Sequence, residues 1–103
     1  MIIVIARVEF DPARIDEIEP ALDAMMRSTW DESGCLGYSM AIESRDEGIC
    51  SIVERWENEA SLREHFDGPR MATFNAAIKD AVRSIDARIY DASNERPLMA
   101  PAG

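Results

Sequence analysis

Residues 2–10 run Ile2, Ile3, Val4, Ile5, Ala6, Arg7, Val8, Glu9, Phe10, and this segment limits the available folds more than any other. In an extended chain, successive side chains point to opposite faces. Ile2, Val4, Ala6, Val8 and Phe10 therefore share one face, while Ile3 and Ile5 occupy the other before Arg7 and Glu9 intervene. A strand that is apolar on both faces is covered on both. The chain's own helices can cover one face. The other calls for a second subunit, so the segment predicts a homodimer through the open sheet face.

The later segments supply the helices and further strands. Asp11 can cap a helix with Pro12 at its first position, where the missing N–H is harmless. Ile15, Ile18, Leu22, Met25, Met26 and Thr29 follow at helical spacing, with Pro20 predicting a kink or break inside the run. Gly34 reads as the residue that closes this helix. Cys35–Glu43 and Ile49–Trp56 read as a hairpin around the polar turn Ser44–Gly48. A helical region is expected from about Asn58 to Ser84, interrupted near Asp67-Gly68-Pro69, with Met71, Phe74, Ile78, Val82 and Ile85 at helical spacing. Ile85–Asp91 reads as the last strand. Residues 93–103 form a tail without periodicity, either disordered or laid across a partner. The order is βαββαβ, a ferredoxin-like α+β fold: one domain over residues 1–92, with a four-stranded antiparallel sheet and helices on one face.

Charge and cysteine content narrow the function. The formal net charge is −9, and Lys79 is the one lysine. Nucleic-acid backbones and anionic membrane surfaces want basic patches, so neither is an expected partner. No apolar run reaches the length of a membrane span, and the first residues lack a basic stretch and a cleavage site. A cytoplasmic protein is the expectation, with Cys35 and Cys50 as free thiols, because the hairpin register does not set them opposite each other. One histidine excludes a multi-histidine metal site, and neither a phosphate-binding glycine loop nor a nucleophile elbow is present. No metal or cofactor is expected.

The candidate chemistry gathers around residues 54–66. Asn58 can cap a helix on which Leu62, His65 and Phe66 fall at i, i+3, i+4, a face expected to point at the sheet. His65 is the one side chain whose ordinary pKa lies near neutrality. It is a candidate base, or else a packed core residue. Glu54 and Trp56 share a strand face. Trp56 offers a flat surface for an aromatic ligand, or fills the core. Glu54 either faces a pocket or pairs with Arg7 or Arg88. Tyr38 could hold a phenolic substrate or pack on the sheet. Met71 and Phe74 read as pocket wall or core. Asn75 could hydrogen-bond a substrate from a buried helix face, or lie on the surface.

The strand ending Glu54-Arg55-Trp56, followed by a helix carrying His65, resembles the hallmark of the antibiotic biosynthesis monooxygenase family. Gly34-Cys35-Leu36-Gly37-Tyr38 resembles that family's entry into the second strand, with Ser33 where a proline is common. The resemblance covers roughly residues 1–92 and implies a dimeric α+β barrel. It also implies cofactor-independent oxidation of a quinol or aromatic polyketide-like small molecule by dioxygen. His65 would be base or orienter, Trp56 and Phe74 aromatic walls, and Tyr38 and Asn75 polar anchors. A haem-degrading branch shares the fold but places Asn, Trp and His where this chain has Ala6, His65 and Asn75, which speaks against haem breakdown. A non-catalytic small-molecule-binding homodimer is the alternative the resemblance leaves open.

Overall fold

The computed structural model describes residues 1–99. Strand β1 (Ile2–Phe10) leads through a short 3-10 turn (Pro12–Arg14) into helix α1 (Ile15–Thr29). Strands β2 (Cys35–Ser44) and β3 (Ile49–Trp56) form the hairpin. Helices α2 (Glu59–Asp67) and α3 (Pro69–Ile78) precede the last strand, β4 (Val82–Asp91). The sheet order is β2-β3-β1-β4, with every neighbouring pair antiparallel. This is the ferredoxin-like α+β arrangement.

The local causes are those that side-chain chemistry dictates. Asp11 Oδ1 accepts from the Ala13 N–H at 3.0 Å, and Asn58 Oδ1 accepts from the Ser61 N–H at 2.9 Å. Each satisfies a helix-start donor that would otherwise lack a partner. The core lies between sheet and helices. Val4, Ala6, Val8 and Phe10 of β1 meet Ile15, Ile18, Leu22 and Met25 of α1, with Leu62, Met71, Phe74 and Ile78 from the other helices.

Several expectations need correction. Helix α1 runs through Pro20 without a break. Pro20 is the sixth residue of α1, so the helix continues at the cost of one backbone donor. Gly34 does not close that helix, which ends at Thr29; it lies in the loop beyond, at φ +79°. The helical region stops at Ile78, and Val82 and Ile85 belong to β4, paired with Phe10 and Val8. Their helical spacing was coincidental, because β1 is long enough to take a partner along its whole length. Phe66 is 51% exposed rather than facing the sheet.

The two sheet faces differ as the first strand requires. On the side away from the helices, Ile5 is 49% and Val53 45% exposed, paired directly across the β1–β3 ladder. Cys35 pairs with Trp56 and Cys50 with Ile42, and both cysteines are free. Burial pushes the Cys50 thiol up to about 11. Beyond β4, Ala92 exchanges backbone hydrogen bonds with Met1, and residues 93–99 carry no helix or strand. The rest of the expected tail, residues 100–103, lies outside the described residues.

Candidate functional site

The elements that hold the candidate site meet where β3 ends and α2 begins. Asn58 caps α2 and sets its first turn directly after Trp56. One helical step beyond Leu62 this brings His65 onto the buried side, with its side chain only 1% exposed. The α1–β2 loop folds over the same point. Glu32 donates its backbone N–H to the Thr29 carbonyl at 3.0 Å, and the Gly34 carbonyl accepts from the Glu57 N–H at 2.8 Å. Gly34 must adopt its positive φ for this, and a Cβ there would overlap the Ser61 side chain.

That loop delivers Glu32 to the histidine. His65 Nδ1 lies 2.7 Å from Glu32 Oε2. A carboxylate only accepts, so Nδ1 carries the proton. In the neutral imidazole, Nε2 is then an acceptor, and it is buried with no hydrogen-bond partner. Most buried polar atoms are satisfied, so this one stands out. The other Glu32 oxygen, Oε1, lies 3.8 Å from Arg70 Nη1, and the same nitrogen donates to the Ser28 carbonyl at 2.8 Å.

Aromatic rings surround the imidazole. The Trp56 ring centroid lies 5.0 Å away and that of Tyr38 5.2 Å, the latter in an edge-on arrangement. Trp56 Nε1 donates to Glu54 Oε1 at 3.0 Å in the interior. Glu54 therefore pairs neither with Arg7 nor with Arg88. Arg7 bonds Glu43 and Arg88 bonds Asp86. Arg7 points to the far face, whereas Glu54 sits opposite Val4 on the helix side. Burial pushes the Glu54 carboxyl above its ordinary value, against the Trp56 hydrogen bond and the nearby His65, which pull it down. Burial also drives the Tyr38 phenol far above its ordinary value, so it stays protonated.

The structure thus brings together four of the residues singled out from sequence: Tyr38, Glu54, Trp56 and His65. Met71 and Phe74 are buried on the inner side of α3. Asn75 lies on the exposed side of that helix, not on a buried face, and its carbonyl accepts from the Lys79 N–H. Sequence reading missed Glu32, which is 33 positions from His65 and shares a polar loop with Asp31; no local pattern marks it. A shallow cleft of about 180 Å³, lined by Glu32, Ser33, Ser61, Glu64 and His65, opens at the pair. Among the described residues, no three His, Cys, Asp or Glu side chains converge as they would around a metal ion.

Fold and site together define a ferredoxin-like α+β domain with an aromatic-walled, carboxylate-backed histidine. Over residues 1–77 the chain matches the family model described as "Antibiotic biosynthesis monooxygenase", and it belongs to that family. It is 33% identical over 75 residues to a Mycobacterium tuberculosis protein named "Putative monooxygenase Rv0793", an alignment spanning 73% of each chain. The structure of Rv0793 superposes with a TM-score of 0.81 at 28% identity, covering 93% of this chain and 98% of that one. A Deinococcus radiodurans protein described as a "putative antibiotic biosynthesis monooxygenase" gives a TM-score of 0.86 over 97% of this chain and all of its own. Its identity is 22%, a likeness of fold alone. Among the described residues no helix is long and apolar enough to cross a membrane.

Proposed function

We propose that the protein is a cofactor-independent monooxygenase that oxidises a quinol or related aromatic phenol with dioxygen. Family membership supports a monooxygenase-type activity on a small molecule. The observation that carries the finer reading is the buried, unpartnered Nε2 of His65, opposite an Nδ1 held by Glu32. Such a nitrogen suits a hydroxyl donor, and a phenolic O–H is one. His65 takes the proton, which makes the phenolate a better electron donor. The phenolate gives an electron to dioxygen, and the resulting radical and superoxide recombine to a C–O bond. Cleavage of the O–O bond leaves one oxygen in the product as a carbonyl. The other departs as water with two hydrogens from the substrate. The substrate supplies all the electrons, so no reductant is needed. Glu32 holds the imidazole in the accepting tautomer, Trp56 and Phe74 are aromatic walls, and Tyr38 is a neutral hydrogen-bond donor. Glu54 and Met71 complete the wall, and Asn75 is at most an outer anchor that would have to reach the substrate from the exposed side of α3.

The half-exposed Ile5 and Val53, with Tyr90 beside Ile3, support a homodimer through the sheet face. One observation favours a second reading. Trp56 is wholly buried and Tyr38 nearly so, which suits a non-catalytic, small-molecule-binding homodimer whose aromatic cluster is core.

Oxygen uptake separates the two. With a panel of hydroquinones and polycyclic phenols, chelator present and no flavin added, the purified protein should consume oxygen above the autoxidation rate. His65→Ala should lower the enzyme-dependent rate by about 10²-fold or more, the usual scale for losing a general base. Uptake equal to the blank across the panel would sink the oxygenase reading in favour of the binding one.

A further inference from the structure

Trp30 stands half-exposed just beyond α1, yet its indole is fixed in place. Nε1 donates to the Tyr38 carbonyl at 2.7 Å, at the short end of the range for an N–H donor. The Arg27 guanidinium lies 5.7 Å from the ring centroid, within cation–π range. The indole therefore ties the end of α1 to β2, an edge strand of the sheet. The helix end has no other device for this. Trp30 still holds the right-handed helical conformation, and the positive-φ glycine that turns the chain comes only at Gly34.

Both neighbours of the His65 ring belong to the loop that this bond closes. Glu32 follows Trp30 by two positions, and its Oε2 sits 2.7 Å from Nδ1. Tyr38 is the acceptor itself, and its ring stands edge-on to the imidazole at 5.2 Å. The loop's other ties run elsewhere. The Glu32 N–H bonds Thr29, the Cys35 N–H bonds the Glu32 carbonyl, and the Gly34 carbonyl takes the Glu57 N–H. Arg70 reaches Ser28 from α3.

We propose that Trp30 is a positioning residue for His65: its indole N–H fixes β2 against the end of α1 and so sets the loop that presents Glu32 to Nδ1. Glu32 then keeps the proton on Nδ1 and leaves Nε2 as the acceptor. Trp30 acts only through Glu32 and Tyr38. The positioning stands on the loop geometry, and its effect on turnover rests on the oxygenase reading above.

The 15N shifts of histidine-labelled protein, at a pH where the ring is neutral, test this. Trp30→Phe keeps most of the ring and removes the donor. Trp30→Gln loses the ring and offers an amide N–H instead. Thermal melts of both variants set a temperature at which each is folded. Trp30→Phe should raise the Nε2-protonated share to a detectable level, a change in tautomer ratio of about tenfold, the scale of one net hydrogen bond. Trp30→Gln should stay close to the native ratio. With a hydroquinone that the native protein oxidises, Trp30→Phe should lower kcat about tenfold and leave KM nearly unchanged. A native tautomer ratio in Trp30→Phe, whatever its Tm, would overturn the proposal. So would equal shifts in the two variants, which would assign the effect to ring packing and not to the N–H. A native protein that oxidises no phenol would sink the oxygenase reading alone, because the 15N comparison needs no turnover.

Discussion

His65 and Glu32 form the contact on which the site's chemistry turns, and because the chain has one histidine it can be observed in isolation. In histidine-labelled protein at a pH where the ring is neutral, 15N shifts should show Nδ1 protonated and Nε2 bare. Glu32→Ala should give a mixture of the two tautomers. A protonated Nε2 in the unaltered protein would remove the acceptor that the oxygenase reading requires. Glu54 gives a prediction of known sign. Its folded-state pKa is raised, chiefly by burial, so between the ordinary carboxylate pKa and the raised one the folded state binds more protons than the unfolded state. Stability therefore falls as pH rises through that window. Glu54→Gln keeps an oxygen to accept from Trp56 Nε1 and removes the charge. Urea unfolding should find it more stable than the native protein at pH 8, with the gain shrinking toward zero at pH 4. A gain that is constant with pH would mean that Glu54 does not titrate differently on folding. Glu54 and Trp56 were legible as a same-face pair, since alternation alone puts them there. Their mutual hydrogen bond was not, because nothing in a strand's period says whether a neighbour or an arginine takes the carboxyl.

Among the elements, α2 and the loop facing it do most to place the site. Asn58 holds the first turn of α2 through one hydrogen bond. Asn58→Ala should cost about 1 kcal/mol, with a fall in Tm of roughly 4–8 °C by thermal melting. The cap was readable from sequence, as was the Gly68-Pro69 interruption between α2 and α3, because both depend on adjacent residues. The end of α3 was not. Met71, Phe74, Ile78, Val82 and Ile85 continue a helical period through the true boundary, and the pairing of Val82 with Phe10 overrides it. Phe66 shows the same limit. Its spacing puts it near His65, yet a nine-residue helix at the edge of the layer covers little more than Leu62 and His65.

At the scale of the whole molecule the unresolved demand of β1 returns. The helices cover the inner face of β1 and β3 but leave Ile85 and Ile89 of β4 on that face exposed, and Ile5 and Val53 on the other face remain half open. In light-scattering chromatography the protein should elute at twice its chain mass, and Ile5→Asp should convert it to monomer by placing a charge in the contact. A native protein that is monomeric at micromolar concentration would refute the sheet-face dimer. The sequence by itself determined the element order, the start of α2 and the faces shared within β1 and by Glu54 and Trp56. These follow from periods of 2 and 3.6 and from capping groups within a few positions of one another. The meeting of Glu32 with His65 and the solitary Nε2 were decided only by the tertiary structure. Each is set by segments dozens of residues apart, and its geometry depends on how a loop folds over a helix, which no local pattern encodes.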